Sequence, residues 1–128
     1  MQEKLNLLRC NICKNIVEIL AAGEGEPVCC NKIMEKLEDV EITKDDPHYA
    51  NIEILENEQK RIYFNHKMTP EHRIEFAEVI SNDKKYVKRK YFEVNETPEI
   101  ILKCDCKEGF YVRTYCNIHN VCLTKYEG

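Results

Sequence analysis

Apolar and polar residues alternate with a period of two through most of the chain beyond residue 50, and clusters such as Ser81-Asn82-Asp83 interrupt the alternation. A period of two indicates strands with one buried face, and turn signals at this spacing are typical of an antiparallel sandwich. The predicted strands are 51–56, 60–66, 72–80, 85–93, 98–104, 109–116 and 119–126. No long helical period and no internal repeat is visible. We therefore predict a mainly β protein with a seven-stranded, immunoglobulin-like antiparallel β-sandwich.

Strand parity predicts which side chains point into the sandwich, because alternate residues of a strand share a face. Each predicted inward row carries a histidine or cysteine at one end. Ends of strands at one edge of a sandwich can meet, so we expect these side chains to converge. The rows are Ile62, Phe64 and His66; His72, Ile74 and Phe76; and Phe110, Val112, Thr114 and Cys116.

The first 37 residues contain four cysteines around a short apolar strand at 15–20 and a turn at 23–27. So small a segment cannot fold on hydrophobic burial alone and needs a staple. The next residues are acidic and weakly patterned. We predict a metal domain at 1–37, a linker at 38–46 and the sandwich domain at 47–128.

Charge and hydropathy exclude several classes of function. The net charge of -4 argues against nucleic-acid binding, which needs a basic surface. A basic cluster at residues 84–90 is expected to be a solvated strand face, with anion steering or docking of an acidic protein as the alternative. The longest apolar stretch, Ile16 to Ala22, contains Glu18 and is too short for a membrane span. No export signal is visible, so we expect a cytoplasmic protein whose eight cysteines serve metal or redox chemistry.

The N-terminal cysteines form a metal-binding pattern. Cys10 and Cys13 are a Cys-x-x-Cys pair, and the adjacent Cys29 and Cys30 follow after fifteen residues. Four thiolates complete a tetrahedral site, and both zinc and iron accept one. Because neighbouring residues cannot place their sulfurs freely, we expect the tetrahedron to be distorted at Cys29 and Cys30. A disulfide pair or four inert thiols is the alternative.

The chain has only four histidines, which are His48, His66, His72 and His119. A single histidine in a β domain is usually a packing or surface residue. Here Cys116 lies three residues before His119, so one turn offers a soft and a borderline ligand together. The set as a whole therefore indicates a second metal site.

These motifs resemble a known family. The N-terminal pattern is similar to desulforedoxin, a small rubredoxin-like iron domain, and the C-terminal part resembles superoxide reductase of the neelaredoxin type. The whole chain resembles desulfoferrodoxin, the two-iron form. The matching residues are the four N-terminal cysteines, Asp46-Pro47-His48, His66-x-Met68, Pro70-Glu71-His72 and Tyr115-Cys116-Asn117-x-His119.

The resemblance implies a function for each site. One iron would be held by Cys10, Cys13, Cys29 and Cys30 and would transfer electrons. The second would have the four histidines as equatorial ligands and Cys116 as axial thiolate, with the sixth position open, and would reduce superoxide to hydrogen peroxide. Backbone N–H groups of residues 117–119 are candidates to hydrogen-bond the sulfur. A rubredoxin-like electron donor and a homodimer are also implied.

The sequence departs from the family pattern at several positions. Family members usually have Glu-Lys before the first histidine, whereas this chain has Asp46-Pro47. Asp46 is therefore the candidate cap for ferric iron, and Lys67 or Lys44 the candidate for anion steering. Glycine usually follows each cysteine pair, whereas this chain has Lys14 and Asn31. If those positions need positive φ, Lys14 costs about 1 kcal/mol or more.

The sequence leaves open the roles of three cysteines and two competing functions. Cys104 and Cys106 extend an apolar face and are expected to be small buried hydrophobes, with a redox or third-metal role as the alternative. Cys104, Cys106 and Cys122 have no place in the family pattern. The first competing function is a non-catalytic two-iron electron carrier or redox sensor. The second is a structural module that holds zinc in the cysteine site and uses its sandwich for binding.

Overall fold

The computed structural model describes residues 2–103 and 107–128, so the predictions for Cys104 and Cys106 lie outside the described residues. The regular elements within these ranges are all strands, joined by turns and loops. The described residues contain no helix with the length and apolar character needed to cross a membrane. The chain divides into two compact units, Met1–Glu38 and Asp39–Gly128. The strands are β1 (Leu7–Arg9), β2 (Ile16–Glu18), β3 (Val28–Cys29), β4 (Lys32–Ile33), β5 (Glu35–Lys36), β6 (Val40–Glu41), β7 (Asn51–Ile54), β8 (Gln59–Tyr63), β9 (Ile74–Ser81), β10 (Val87–Tyr91), β11 (Glu99–Lys103), β12 (Phe110–Cys116) and β13 (Asn120–Tyr126).

The first unit is built around strand β1, which pairs antiparallel with β2 on one side and β5 on the other. Strands β3 and β4 form a separate two-stranded hairpin. One core cluster of this unit contains the buried residues Leu8, Cys10 and Met34, with Ile19 and Cys29 packed against them. Since two of these five residues are cysteines of the predicted metal site, this core and the site are one structure.

The second unit contains the predicted sandwich. One sheet has the order β10-β9-β12-β13-β6 and the other has the order β11-β8-β7. The seven predicted strands correspond to β7–β13, and their ends differ from the prediction by at most three residues. The core between the sheets includes Ile62, Ile74, Ile100 and Val112, each no more than 1% exposed. The predicted fold class is confirmed.

The segment expected to be a linker contains a strand. Val40 and Glu41 form β6, which lies parallel to β13, and the Ile42 N–H donates to the Leu123 carbonyl at 3.1 Å. The reason is the free edge of β13, whose unpaired backbone groups accept another strand. A strand of two residues is too short to leave an alternating pattern, so the prediction of a linker through 38–46 was wrong at these positions.

A β-bulge reverses the predicted parity of β9. Tyr115 lies opposite Phe76, whereas Cys116 lies opposite Ile74, so Glu75 is an extra residue. Ile74 and Ala77 therefore face the core, and Phe76 stacks on Tyr115 outside it, with ring centroids 5.4 Å apart. The prediction that Phe76 shares the inward row of Ile74 was wrong, because one inserted residue exchanges the faces.

The basic cluster around β10 has specific partners. The ammonium groups of Lys88 and Lys90 donate to the backbone carbonyls of Ile101 and Glu99 at 3.0 and 2.9 Å. These carbonyls belong to β11, an edge strand of the other sheet. The two lysines thus cover backbone groups that would otherwise attract another strand. This part of the cluster stabilises the sandwich edge and is not simply solvated.

Candidate metal centres

The four histidines form a square. The imidazoles of His48, His66, His72 and His119 follow one another in a closed ring, with successive ring centroids 4.6, 4.7, 4.9 and 4.9 Å apart. His48 Nε2 lies 3.1 Å from His66 Nε2, and His72 Nε2 lies 3.3 Å from His119 Nδ1. Adjacent nitrogens that bind one ion at about 2.1 Å in a square are separated by about 3.0 Å. The square therefore fits equatorial coordination of one ion.

The thiol of Cys116 lies on the interior side of this square. Its sulfur is 3.7 Å from His66 Nε2 and 3.6 Å from His119 Nδ1, and the residue is fully buried. All five donor atoms lie within 4.8 Å of one another. Within residues 2–103 and 107–128, no sixth side chain joins the group. The arrangement is a square pyramid with sulfur at its buried apex.

Each of the five side chains lies at the end of a strand or within three residues of one. His48 precedes β7, His66 follows β8, His72 precedes β9, and Cys116 ends β12. His119 lies in the turn to β13, three residues after Cys116. This short connection keeps its backbone close to the centre, so the nearer ring nitrogen, Nδ1, faces inward.

Hydrogen bonds fix the orientation of two imidazoles. His48 Nδ1 lies 2.7 Å from Asp46 Oδ1, which also accepts from the His48 backbone N–H at 2.8 Å. His66 Nδ1 lies 2.6 Å from the Lys67 carbonyl oxygen. An N–H at Nδ1 leaves the Nε2 lone pair free to bind a metal. Both rings are thereby held in the tautomer that a metal requires.

The surroundings favour neutral imidazoles at His66 and His72 and an ionised Asp46. Burial, together with the other three histidines, lowers the pKa of His66, although the Lys67 carbonyl opposes this. Burial, the neighbouring His119 and the charge of Lys67 lower the pKa of His72. Burial alone would raise the pKa of Asp46, but the hydrogen bonds from His48 outweigh it and lower that pKa. Neutral imidazoles are the forms that bind metals.

The histidines open onto a cleft of about 580 Å³. Lys67 and Asp46 line this cleft, whereas Lys44 lies exposed between β6 and β7 and is not among the described lining residues. Asp46 Oδ1 contacts the side of His48 opposite Nε2, so this oxygen does not face the centre. The role of Asp46 as a cap and the role of Lys67 or Lys44 in anion steering stay predictions. The structure shows a different contact for Asp46, with His48.

Cys122 also lines the cleft, but it is buried and outside the group of five ligands. Burial is the main cause that raises the pKa of its thiol to about 11, with the charges of Asp46 and Cys116 adding to it. A thiol with so high a pKa is almost entirely protonated at neutral pH and reacts slowly. Cys122 is therefore part of the wall of the cleft.

The four N-terminal cysteines also converge. Their sulfurs all lie within 4.8 Å of one another, with 3.5 Å between Cys13 and Cys29 and 3.9 Å between Cys29 and Cys30. A tetrahedron with metal–sulfur bonds of about 2.3 Å has sulfurs about 3.8 Å apart. The group fits one ion in tetrathiolate coordination. The Cys13 N–H donates to the Cys10 sulfur at 3.5 Å and is the main cause that lowers the pKa of that thiol to about 6.

The residues after each cysteine pair have a left-handed backbone, the condition under which a strain at Lys14 was expected. The φ angles are +70° at Lys14 and +62° at Asn31, and Cys30 itself has +53°. Asparagine adopts this region readily, but lysine and cysteine do so at a cost of about 1 kcal/mol or more. The strain at Cys30 follows from the adjacent pair, whose second sulfur must turn back to reach its partners.

Sequence reasoning missed the residues that hold the ligands in place. The Thr69 hydroxyl accepts from the His72 N–H and donates to the His72 carbonyl, each at 3.1 Å. The signal was present, since Thr-Pro turns commonly use the threonine hydroxyl locally. The sequence predicts only a cap role for Asp46. Its position two residues before His48 also favours a hydrogen bond from the His48 backbone N–H to the Asp46 carboxylate.

Comparison with known proteins identifies a family for both parts of the chain. A family model described as the N-terminal domain of desulfoferrodoxin matches residues 2–37, and the desulfoferrodoxin model matches residues 41–124. A desulfoferrodoxin homolog from Methanothermobacter thermautotrophicus is 36% identical over 126 residues, which cover 94% of this chain and 98% of the relative. The desulfoferrodoxin of Syntrophotalea carbinolica is 34% identical, with coverage of 94% and 96%.

A solved structure shows the same fold over nearly the full length. The superoxide reductase from Treponema pallidum superposes with a TM-score of 0.70, covering 95% of this chain and 98% of that chain at 17% identity. At this identity the likeness concerns the fold. The matches of both family models and of full-length relatives lead to one conclusion: this chain belongs to the desulfoferrodoxin family.

Proposed function

We propose that this protein reduces superoxide to hydrogen peroxide at an iron held by the four histidines and Cys116. The square of imidazoles above a buried thiolate, with its outer side facing a cleft, carries the proposal. These five residues would hold a ferrous ion, which would supply one electron, and the Cys116 thiolate would increase the electron density on the iron. The balanced reaction consumes one superoxide, one electron and two protons for each hydrogen peroxide.

The charge of Lys67 and the burial of Cys116 favour the approach of a small anion from the cleft. Lys67 is the cationic side chain among the described residues that line it, and a cation beside a cleft raises the local concentration of a small anion. Val40, Ile42 and Val121 contribute apolar walls. Cys116 lies beneath the imidazoles and is fully buried, so the approach of an anion is restricted to the open side.

The four-cysteine site is proposed to hold a second iron that delivers electrons. Its Cys13 and Cys30 are exposed, which suits electron exchange with a rubredoxin-like donor protein. The small unit also exposes Leu20 by 80% and Ile33 by 67%, apolar area that pairing into a homodimer would cover. Such an enzyme would act in the cytoplasm in defence against oxidative stress.

Rapid mixing of the ferrous protein with superoxide tests the proposed activity. One hydrogen peroxide for each iron oxidised, without oxygen, is the expected result. Oxygen formation would indicate dismutation, and the absence of both products would favour the electron carrier or redox sensor. Cys116→Ser should abolish the reaction, whereas Cys122→Ser, at a buried cysteine outside the ligand group, should retain it. A red or pink colour distinguishes an iron tetrathiolate from colourless zinc.

Lys67→Ala should slow the reaction with superoxide by up to about tenfold at low ionic strength and should weaken its salt dependence. Lys44→Ala removes the same charge outside the residues that line the cleft, and a smaller effect is expected. Second-order rate constants at several salt concentrations measure both. Unchanged rates and salt dependence in both variants would rule out lysine steering.

A further inference from the structure

The side chain of Asn117 joins the segments that carry three of the five ligands. Its Nδ2 donates to the Glu71 carbonyl at 3.1 Å, and its Oδ1 accepts from the Arg73 N–H at 2.9 Å. Its backbone N–H donates to the Arg73 carbonyl at 3.1 Å. Glu71 and Arg73 are the two neighbours of His72. One residue therefore holds the backbone on both sides of this ligand.

Asn117 also follows Cys116 directly and precedes His119 by two residues. The β9–β12 ladder has its last pair at Ile74 and Cys116. Beyond it, the Asn117 N–H continues the ladder, while the side-chain oxygen takes the place that a backbone carbonyl would occupy opposite Arg73. The chain can thereby turn toward His119 after Asn117 while the strands stay joined.

Asparagine is the side chain that suits this position. The contact needs one acceptor for the Arg73 N–H and one donor for the Glu71 carbonyl, both close to the backbone. An amide supplies both. Aspartate keeps the acceptor but offers no donor when ionised, and alanine offers neither. The Asn117 N–H is occupied by Arg73, so it is not one of the donors expected at the Cys116 sulfur.

We propose that Asn117 is a positioning residue that fixes His72 relative to Cys116 and His119. The inference rests on the proposed function only through the use of these five residues as metal ligands. Asn117 lies outside the ligand group and acts through the backbone of Glu71 and Arg73. Without it, the imidazole of His72 would lose its fixed place in the square, and the centre would bind metal more weakly and with altered geometry.

Titration of the metal-free, full-length protein with Co²⁺ tests this role without superoxide. Loss of outer contacts that orient ligands typically weakens metal binding by about 10- to 100-fold, so Asn117→Ala is expected to weaken the histidine–cysteine site within this range. The ligand-field and thiolate charge-transfer bands of that site should shift. The four-cysteine site of the same molecule serves as an internal control and should keep its affinity and spectrum.

Asn82→Ala is the matched control. The Asn82 amide also donates to a backbone carbonyl, that of Glu108, but at the opposite end of β9. This variant should lower the thermal stability of the metal-free protein and leave the Co²⁺ affinity unchanged. Equal losses of Co²⁺ affinity in the two variants, or wild-type affinity and spectrum in Asn117→Ala, would overturn the proposal.

Asn117→Asp provides the second test. If the alanine variant does not fold, this variant is sufficient to test the positioning role of Asn117. It should keep the Arg73 N–H protected from hydrogen exchange in the metal-free protein, and its Co²⁺ affinity should fall between those of wild type and Asn117→Ala. The negative charge that this substitution adds would strengthen the binding of Co²⁺. Weaker Co²⁺ binding by Asn117→Asp therefore cannot be an effect of the added charge. Wild-type affinity and spectrum in this variant count against the proposal. A wild-type protein that binds five-coordinate metal but leaves superoxide unreduced would refute the proposed function alone.

Discussion

Replacing Asp46 by alanine separates two roles for this carboxylate. The structure shows Asp46 Oδ1 bonded to the His48 backbone N–H and to His48 Nδ1, at 2.8 and 2.7 Å. In this role Asp46 orients a ligand whatever the oxidation state of the metal. A cap on ferric iron, the role expected from the family pattern, would affect the oxidised centre only. The affinity for a divalent ion therefore distinguishes the two.

The expected magnitude follows from the contact with the ring. A hydrogen bond to a charged group contributes about 1.5–3 kcal/mol. Because the Asp46 side chain is 35% exposed, water screens the interaction and the lower end applies. About 1.4 kcal/mol corresponds to a factor of ten in affinity. Asp46→Ala should therefore bind Co²⁺ at the histidine–cysteine site about tenfold more weakly.

Competition with a chromophoric chelator measures this affinity in the metal-free protein. Asp45→Ala removes the same charge from the neighbouring, exposed position and should change the affinity less than twofold. Asp46→Asn keeps an acceptor without the charge and should give an intermediate value. A Co²⁺ affinity of Asp46→Ala equal to that of Asp45→Ala would refute the orienting role, and a change confined to ferric iron would support the cap.

Three further predictions concern other parts of the molecule. Lys14→Gly should stabilise the four-cysteine unit by about 1 kcal/mol and slow metal loss to a chelator, because φ is +70° there; Lys36→Gly, within a strand, should have the opposite effect. Glu78→Gln should lower the free energy of unfolding in urea by about 3 kcal/mol, since it removes the buried carboxylate that lies 2.8 Å from the buried Arg113 guanidinium. Glu99→Gln, at a partly exposed pair, should cost less than about 1 kcal/mol. Cys122 should resist a thiol reagent at pH 8, because a pKa of about 11 leaves about one thiolate in a thousand. Equal effects within either pair of variants, or rapid labelling of Cys122, would contradict these expectations.

The sequence alone predicted the strands and the ligands because both depend on local pattern. A period of two identifies a half-buried strand without knowledge of its partners, and all seven predicted strands are present. Cysteine and histidine at short spacings indicate metal binding for chemical reasons that hold in any fold. The left-handed conformation at Lys14 was raised only as a condition from the family resemblance, and the structure shows that Lys14 adopts it.

Only the tertiary structure decided how these parts are connected. The bulge at Glu75 exchanged the faces of β9, and the pairing of Val40 with β13 turned part of a linker into a strand. The path of the backbone likewise decides two sets of hydrogen bonds, that of Asp46 with His48 and those of Asn117 with Glu71 and Arg73. One inserted residue, or one free strand edge, changes which atoms meet without changing the local pattern. The sequence therefore determines which side chains can bind metal, and the packed backbone determines what holds them in place.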